Sequence, residues 1–169
     1  DNVVSRSART PWYDGPALLE FLDTVDVDSK AASRPFRMAV QWVNRLRSDF
    51  RGLAGTVTSG ALAVGAEVTS LPRGSRSTVR RILTPDGEAR VARTGQSVVV
   101  ELDTDVDVAR GDVLAESSAT PGVADQFDAV VVWMHEEPML QGRSYLLRCG
   151  TSLVTATVAP IKCRLEVGT

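Results

Sequence analysis

Apolar and polar residues alternate with period two from Phe36 onward. Phe36, Met38, Val40 and Trp42 point one way and Arg37, Ala39 and Gln41 the other, which predicts a half-buried strand. A polar turn from Asn44 to Asp49 follows. The stretch from Phe50 to Val68 then reads as strand, turn, strand: Thr56, Val57 and Thr58 are β-formers between Gly55 and Gly60, and Gly65 breaks the chain again before Glu67 and Val68. Glycine carries no steric penalty where the backbone needs a positive φ or a close approach to another strand. The spacing of these three glycines therefore predicts a small, strongly bent barrel around which the chain is organised. Strands over Glu67–Leu71, Ser77–Leu83 and Ser97–Leu102 continue it, separated by Pro72-Arg73-Gly74 and by a tight turn at Asp86-Gly87. Arg110-Gly111-Asp112-Val113-Leu114 closes the unit. Turn signals recur roughly every eight to twelve residues, the spacing of an antiparallel barrel rather than of a βαβ sheet.

The flanks read differently. Residues 1–10 are a polar lead-in, after which Asp14 as cap, Pro16 near the first helical position, and Leu18, Leu22 and Val25 at helical spacing predict a short helix with Trp12 packed back on its apolar face. Asp26 to Pro35 is small and charged, a linker ahead of the barrel. Beyond a second linker at Ser117–Gly122, strands are predicted over Asp128–Met134, Tyr145–Cys149, Leu153–Val158 and Ile161–Val167, with a break at His135-Glu136-Glu137-Pro138 and a turn at Gln141-Gly142. About four strands do not close a barrel. The expected organisation is all-β: a helix and linker over 1–33, a barrel over 34–118, and an unfinished second barrel over 119–169.

Composition narrows the partners. The 169 residues are 43% hydrophobic and 24% charged, ordinary for a globular protein, and the net charge of −2 speaks against a phosphate backbone as the main partner. No apolar run approaches the roughly 20 residues of a membrane span, and the N-terminus is not a signal peptide, so a cytoplasmic protein without membrane contact is expected. Cys149 and Cys163 have no metal-spaced neighbour and are expected as free thiols buried in strands. The chain lacks an initiating Met and is expected to be a piece of something longer.

Four features invite a chemical reading. Gly60 and Gly65 have the separation of a phosphate loop, but Ala66 and Glu67 stand where Lys and Ser or Thr would meet phosphate and magnesium. Asp103, Asp105 and Asp107 imitate the start of a calcium loop, yet Val108 replaces the required Gly and Leu114 the bidentate Glu. His135, beside Glu136 and Glu137, is a lone loop histidine without a partner nucleophile. Arg73, Arg76, Arg80, Arg81, Arg90 and Arg93 suit RNA, an acidic protein surface, or a solvated face guarding an edge strand, and no aromatics interleave for base stacking.

Phe50-Arg-Gly-Leu-Ala-Gly-Thr-Val-Thr-Ser-Gly60, followed by Val64-Gly-Ala-Glu-Val68, resembles the start of the second domain of translational GTPases. The wider chain resembles the GTP-hydrolysing subunit of sulfate adenylyltransferase, alone or fused to adenylylsulfate kinase. Residues 1–7 are similar to the exit from that family's GTPase domain, Pro11 to Leu19 to its last helix, and Phe36 to Asn44 after Pro35 to its first barrel strand. Phe127, Trp133 to Pro138 and Ile161-Lys162 resemble the opening of its third domain. The resemblance implies a translation-factor-like second-domain barrel followed by part of a third-domain barrel. It implies a parent that couples GTP hydrolysis to adenylylsulfate formation from ATP and sulfate in sulfate assimilation, as a heterodimer with a separate catalytic subunit. GTP and magnesium would belong to a preceding GTPase domain. This piece is then expected to be inactive, with no catalytic, cofactor-binding or metal residue, and to pair through its unfinished barrel as a homo-dimer. The competing expectation is a translation-factor second domain contacting tRNA or ribosomal RNA. A stand-alone metabolite-binding barrel has no residue in its favour.

Overall fold

In the computed structural model, β1 (Arg37–Arg47) and β2 (Phe50–Ser59) form a long antiparallel hairpin, with Met38 opposite Val57 and Val43 opposite Leu53. The structure describes residues 2–25, 29–47 and 50–163. After β2 come β3 (Ala61–Ala63), β4 (Glu67–Leu71), β5 (Ser75–Thr84), β6 (Gly87–Ala89), β7 (Val91–Arg93), β8 (Ser97–Leu102) and β9 (Val113–Glu116). The order β4-β9-β1-β2-β8-β5, with β5 pairing back onto β4, closes a barrel of six strands. β3 and β7 form a separate two-stranded ribbon, and β6 extends the edge of β5. The all-β expectation is borne out.

The barrel closes because alternate residues of each strand fill one interior. Phe36, Met38, Val40, Leu53, Val57, Val68, Val79, Ile82, Val98, Val100 and Leu114 are buried there, and Leu62 and Ala92 of the ribbon join them. Two of the predicted glycine kinks have distinct causes. Gly60 has φ 68° and lies so close to the preceding linker that a Cβ would stand 2.5 Å from the Arg34 carbonyl oxygen, a position only glycine fits. Gly55 lies mid-strand, where a Cβ would stand 2.5 Å from the Ala39 carbonyl oxygen. The strand predicted over Phe36–Trp42 runs on to Arg47, so the predicted polar turn is mostly strand, and its residues 48 and 49 lie outside the described residues. A register shift between Val40 and Trp42 breaks the alternation: Trp42 is 65% exposed, whereas Val43 packs on the core.

The flanks depart further from expectation. The helix forms as α1 (Leu18–Thr24), and a second short turn, α2 (Ser29–Ala32), lies in the predicted linker. Asp14 does not cap α1. Instead the amides of Leu18 and Leu19 donate to the Asn2 and Val3 carbonyls at 2.8 and 3.0 Å, which satisfies donors a cap would otherwise serve. Trp12 is 74% exposed and is not packed back on the helix. The hairpin predicted near the end is present as β10 (Ser144–Cys149) and β11 (Ser152–Thr157). The apolar run Asp128–Met134 is not a strand, and neither are residues 161–163; 164–167 lie outside the described residues. A strand needs a partner ladder, and none lies beside these segments among the described residues. Both cysteines are free, as expected, but exposed rather than buried: Cys149 ends a two-stranded hairpin whose flank is open, and Cys163 lies outside any strand.

Candidate interaction surfaces

The three aspartates of the calcium-like run face three different partners. Asp103 Oδ1 accepts from Ser77 Oγ at 2.7 Å, the Thr78 amide at 3.0 Å and Thr104 Oγ1 at 3.1 Å, and these donors, the Ser77 hydroxyl foremost, hold its pKa down to about 2. Asp105 pairs with Arg51 at 2.5 Å, which lowers its pKa, and Asp107 pairs with Arg73 at 3.2 Å. The run is thus a set of anchors for the loop before β9, with its carboxylates turned apart. Gly60 and Gly65, both at positive φ, bracket the three-residue strand β3 and do not form a loop leading into a helix. His135 Nδ1 accepts the Glu137 amide at 3.0 Å, and the Trp133 indole donates to the Glu137 carbonyl at 2.7 Å, so this histidine shapes a local turn.

The arginine cluster divides. Arg73, Arg80 and Arg81 are neutralised, the last two by Glu101 at 3.2 and 3.5 Å, with Arg81 also meeting Glu88 at 3.2 Å. Arg76, Arg90 and Arg93 make no ion pair among the described residues. Arg73 lies in the turn before β5, and from Arg76 to Arg81 that strand advances on the order of 15 Å, so these arginines are strung along the hairpin. Glu101 itself is buried on β8, and its two arginines keep that charge compensated.

Arg51 is the main residue that sequence reading passed over. From β2 its guanidinium donates to Asp105, to the Val106 carbonyl, and to the Val108 carbonyl at 2.7 Å, tying the 105–108 loop across the mouth of the barrel. Its partners lie more than fifty positions away, and no local motif marks it. It lines a cleft of about 170 Å³ with Arg45, Arg80, Glu101 and Asp103. A second groove of about 320 Å³ lies between β3, β4 and the turn after β9, where Glu116 accepts from Ser118 Oγ at 2.7 Å and the Phe36 amide at 3.3 Å, lowering its pKa.

The barrel also receives the β10–β11 hairpin. Thr151 Oγ1, at its tip, donates to the Val40 carbonyl at 2.8 Å, an oxygen that also accepts the Gly111 amide at 3.0 Å. Two further surfaces are apolar and open. On α1, Leu18, Leu19, Phe21 and Leu22 are exposed, and along the run before His135, Val130 and Met134 are 93% and 91% exposed. Apolar surface left open in this way is a candidate contact surface. No helix among the described residues is long and apolar enough to cross a membrane.

Comparison with known proteins agrees with this geometry. Residues 126–169 match the family described as GTP-eEF1A C-terminal domain-like. Along 99% of its length the chain is 48% identical to the bifunctional enzyme NodQ of Rhizobium sp. (strain BR816), of which it covers 26%. It is 43% identical along its whole length to sulfate adenylyltransferase subunit 1 of Laribacter hongkongensis (strain HLHK9), of which it covers 35%. In structure it is similar to sup35 complexed with GMPPNP, with a TM-score of 0.61 over 94% of this chain and 40% of that one at 21% identity, a likeness of fold. The barrel expected from the glycine spacing, and the translation-factor-like fold that the resemblance implied, are borne out. The chain spans about a quarter to a third of the length of the curated relatives it matches, and along its whole length it is similar to sulfate adenylyltransferase subunit 1 and NodQ.

Proposed function

We propose that this chain is the barrel portion of the GTP-coupled subunit of a sulfate adenylyltransferase, working in the cytoplasm as a scaffold that presents protein-binding surfaces. The observation that carries the reading is the 43% identity to a subunit 1 along the whole chain, in a barrel where Arg51 and Asp103 anchor the loop before β9. In this reading residues 1–33 finish a GTPase domain that holds GTP and magnesium, 34–118 form the second-domain barrel, and 119–169 begin the third. No residue here is catalytic or binds cofactor or metal. The open apolar side of α1 packs on the GTPase domain, and a separate catalytic subunit handles ATP and sulfate. Taken alone, two copies pair through the open surface around Val130. The neutralisation of Arg73, Arg80 and Arg81 by carboxylates favours a protein partner over tRNA or ribosomal RNA.

Two measurements test the proposal. The 169-residue chain titrated with GTP in a calorimeter should give no heat of binding, whereas micromolar affinity would overturn the assignment of nucleotide to another domain. The full-length protein, mixed with the catalytic subunit from the same source, should support adenylylsulfate synthesis that accelerates with GTP; a rate indifferent to GTP would overturn the coupling.

A further inference from the structure

The ribbon of β3 and β7 leaves one strand edge open. The Thr94 amide donates to the Gly60 carbonyl at 3.1 Å and the Val64 amide to the Arg90 carbonyl at 3.0 Å, on either side of the pairs Ala61 with Arg93, Leu62 with Ala92 and Ala63 with Val91. Hydrogen-bonded pairs alternate along an antiparallel ladder. Gly60, Leu62 and Val64 therefore turn their backbone groups toward β7, and Ala61 and Ala63 turn theirs the opposite way. On that side β3 has no neighbouring strand among the described residues, and the Ala63 carbonyl is taken by the Ala66 amide at 3.2 Å. The Ala61 amide, the Ala61 carbonyl and the Ala63 amide are left as an unpaired template.

This edge borders the groove of about 320 Å³ between β3, β4 and the turn after β9. Buried Phe36, Leu62 and Val68 form its floor. Ser117 and Ser118 form the opposite wall, with Ser117 held to Thr69 by a hydrogen bond of 2.9 Å. Its charged lining residues are Glu67 and Glu116, and no lysine or arginine lines it. Glu67 makes no ion pair among the described residues. Arg37, the cation near Glu116, gives its guanidinium to the Phe36 and Ala119 carbonyls instead.

We infer that the groove takes a short extended peptide of another protein, added as an antiparallel strand to the open edge of β3 and carrying a lysine or arginine. The peptide residue opposite Ala61 exchanges both main-chain bonds with it, and the next carbonyl along that edge accepts from the Ala63 amide. Strand spacing puts the peptide backbone about 4.8 Å from β3, so its inward side chains meet the apolar floor while the basic one reaches the carboxylates at the rim. An edge three residues long suits a short segment rather than the face of a folded domain. The chain's own linkers pass the groove without covering this edge: the Ala31 carbonyl holds the Gly60 amide at 2.9 Å, and the Ala119 carbonyl is held by Arg37. Pairing β3 with β3 of a second copy is disfavoured, because Glu67 and Glu116 of both copies would meet without a counter-charge. The inference goes beyond the subunit assignment and does not depend on it.

The test uses the full-length protein and a fluorescent, acetylated peptide in which valine and alanine alternate around one lysine. Anisotropy gives Kd, and amide exchange reads the edge. The peptide should bind and slow exchange at Ala61 and Ala63, and a copy with glutamate in place of lysine should bind at least about tenfold more weakly. Glu67→Lys should reverse that preference. Ala63→Pro, which removes an amide that β7 does not use, should lose binding with an unchanged thermal midpoint. Equal affinities for the two peptides, or unchanged exchange at Ala61 and Ala63, would overturn the inference. Binding by the 169-residue chain but not by the full-length protein would show that the rest of the parent fills the groove, and would overturn the assignment to another protein. Self-association that the peptide dissolves would make the occupant a second copy and overturn it as well.

Discussion

Gly55 on β2 runs so close beneath Ala39 on β1 that a Cβ at position 55 would stand 2.5 Å from the Ala39 carbonyl oxygen and 2.9 Å from Met38 Cγ. One of these neighbours is backbone in a paired ladder and cannot swing away, so the pair fixes how tightly the hairpin bends. Gly55→Ala should therefore cost about 2 kcal/mol, the scale of overpacking in a filled core. Gly95→Ala should cost only about 1 kcal/mol, because Gly95 faces open space and bears only the strain of its φ of 88°. Urea midpoints of the two variants decide it: equal shifts would show that the hairpin yields at Gly55.

The Ser77 hydroxyl and the Thr78 amide hold Asp103 ionised down to a pKa of about 2, below its ordinary 3.8. Because the folded value is the lower one, this contact contributes stability above pH 3.8 that is lost as the pH falls through about 2. In Ser77→Ala the Asp103 carboxyl should titrate closer to 3.8, and the acid limb of the stability curve should flatten. Carbon-detected NMR titration of the carboxyl reads this directly. An unchanged midpoint in Ser77→Ala would assign the depression to the backbone donor.

Where local pattern and tertiary pairing agree, the sequence alone was enough. Val98 and Val100 fill the barrel on a strand predicted at Ser97–Leu102 and observed at the same bounds, and the break at Gly60 falls where the linker crosses. Trp42 escaped because its orientation depends on a register shift set by β2, which leaves no mark in the residues around it. The run Asp128–Met134 has strand composition without a neighbouring strand, and composition does not form a ladder. The rejected calcium-loop reading of Asp103, Asp105 and Asp107 was available from Val108 and Leu114, but their actual partners, Ser77, Arg51 and Arg73, are distant in sequence and came only from the fold. Glu101 did leave a signal, a charge within an apolar strand, which in a closed barrel requires compensation nearby.

Arg51 joins β2 to the 105–108 loop through one carboxylate and two backbone carbonyls. Its planar fork reaches these acceptors together, which a lysine ammonium on a similar stem does not reproduce. Arg51→Lys should therefore destabilise the chain by about 2 kcal/mol, nearly as much as Arg51→Met. Amide exchange should accelerate first across residues 104–112. Protection there matching the wild type in Arg51→Lys would show that a single charge suffices to hold the loop.

The last expectation concerns the surface around Val130. β10 and β11 pair only with each other among the described residues, and a two-stranded hairpin is marginal in water on its own. Its docking to the barrel through Thr151 holds the tip but leaves both outer edges with unpaired amides and carbonyls. Beside the hairpin in sequence, Val130, Val132 and Met134 are almost fully exposed and form an apolar run with no cover among the described residues. A second copy presents the same edge and the same apolar run, and a two-fold contact satisfies both at once. The 169-residue chain should therefore show a mass that rises toward twice the monomer with concentration in light scattering. Val130→Lys should hold it at the monomer mass, since an unpaired charge would then sit in the contact. A wild-type chain that stays monomeric at high concentration, with amides of Ser144 to Thr157 still protected from exchange, would show instead that the barrel alone steadies the hairpin.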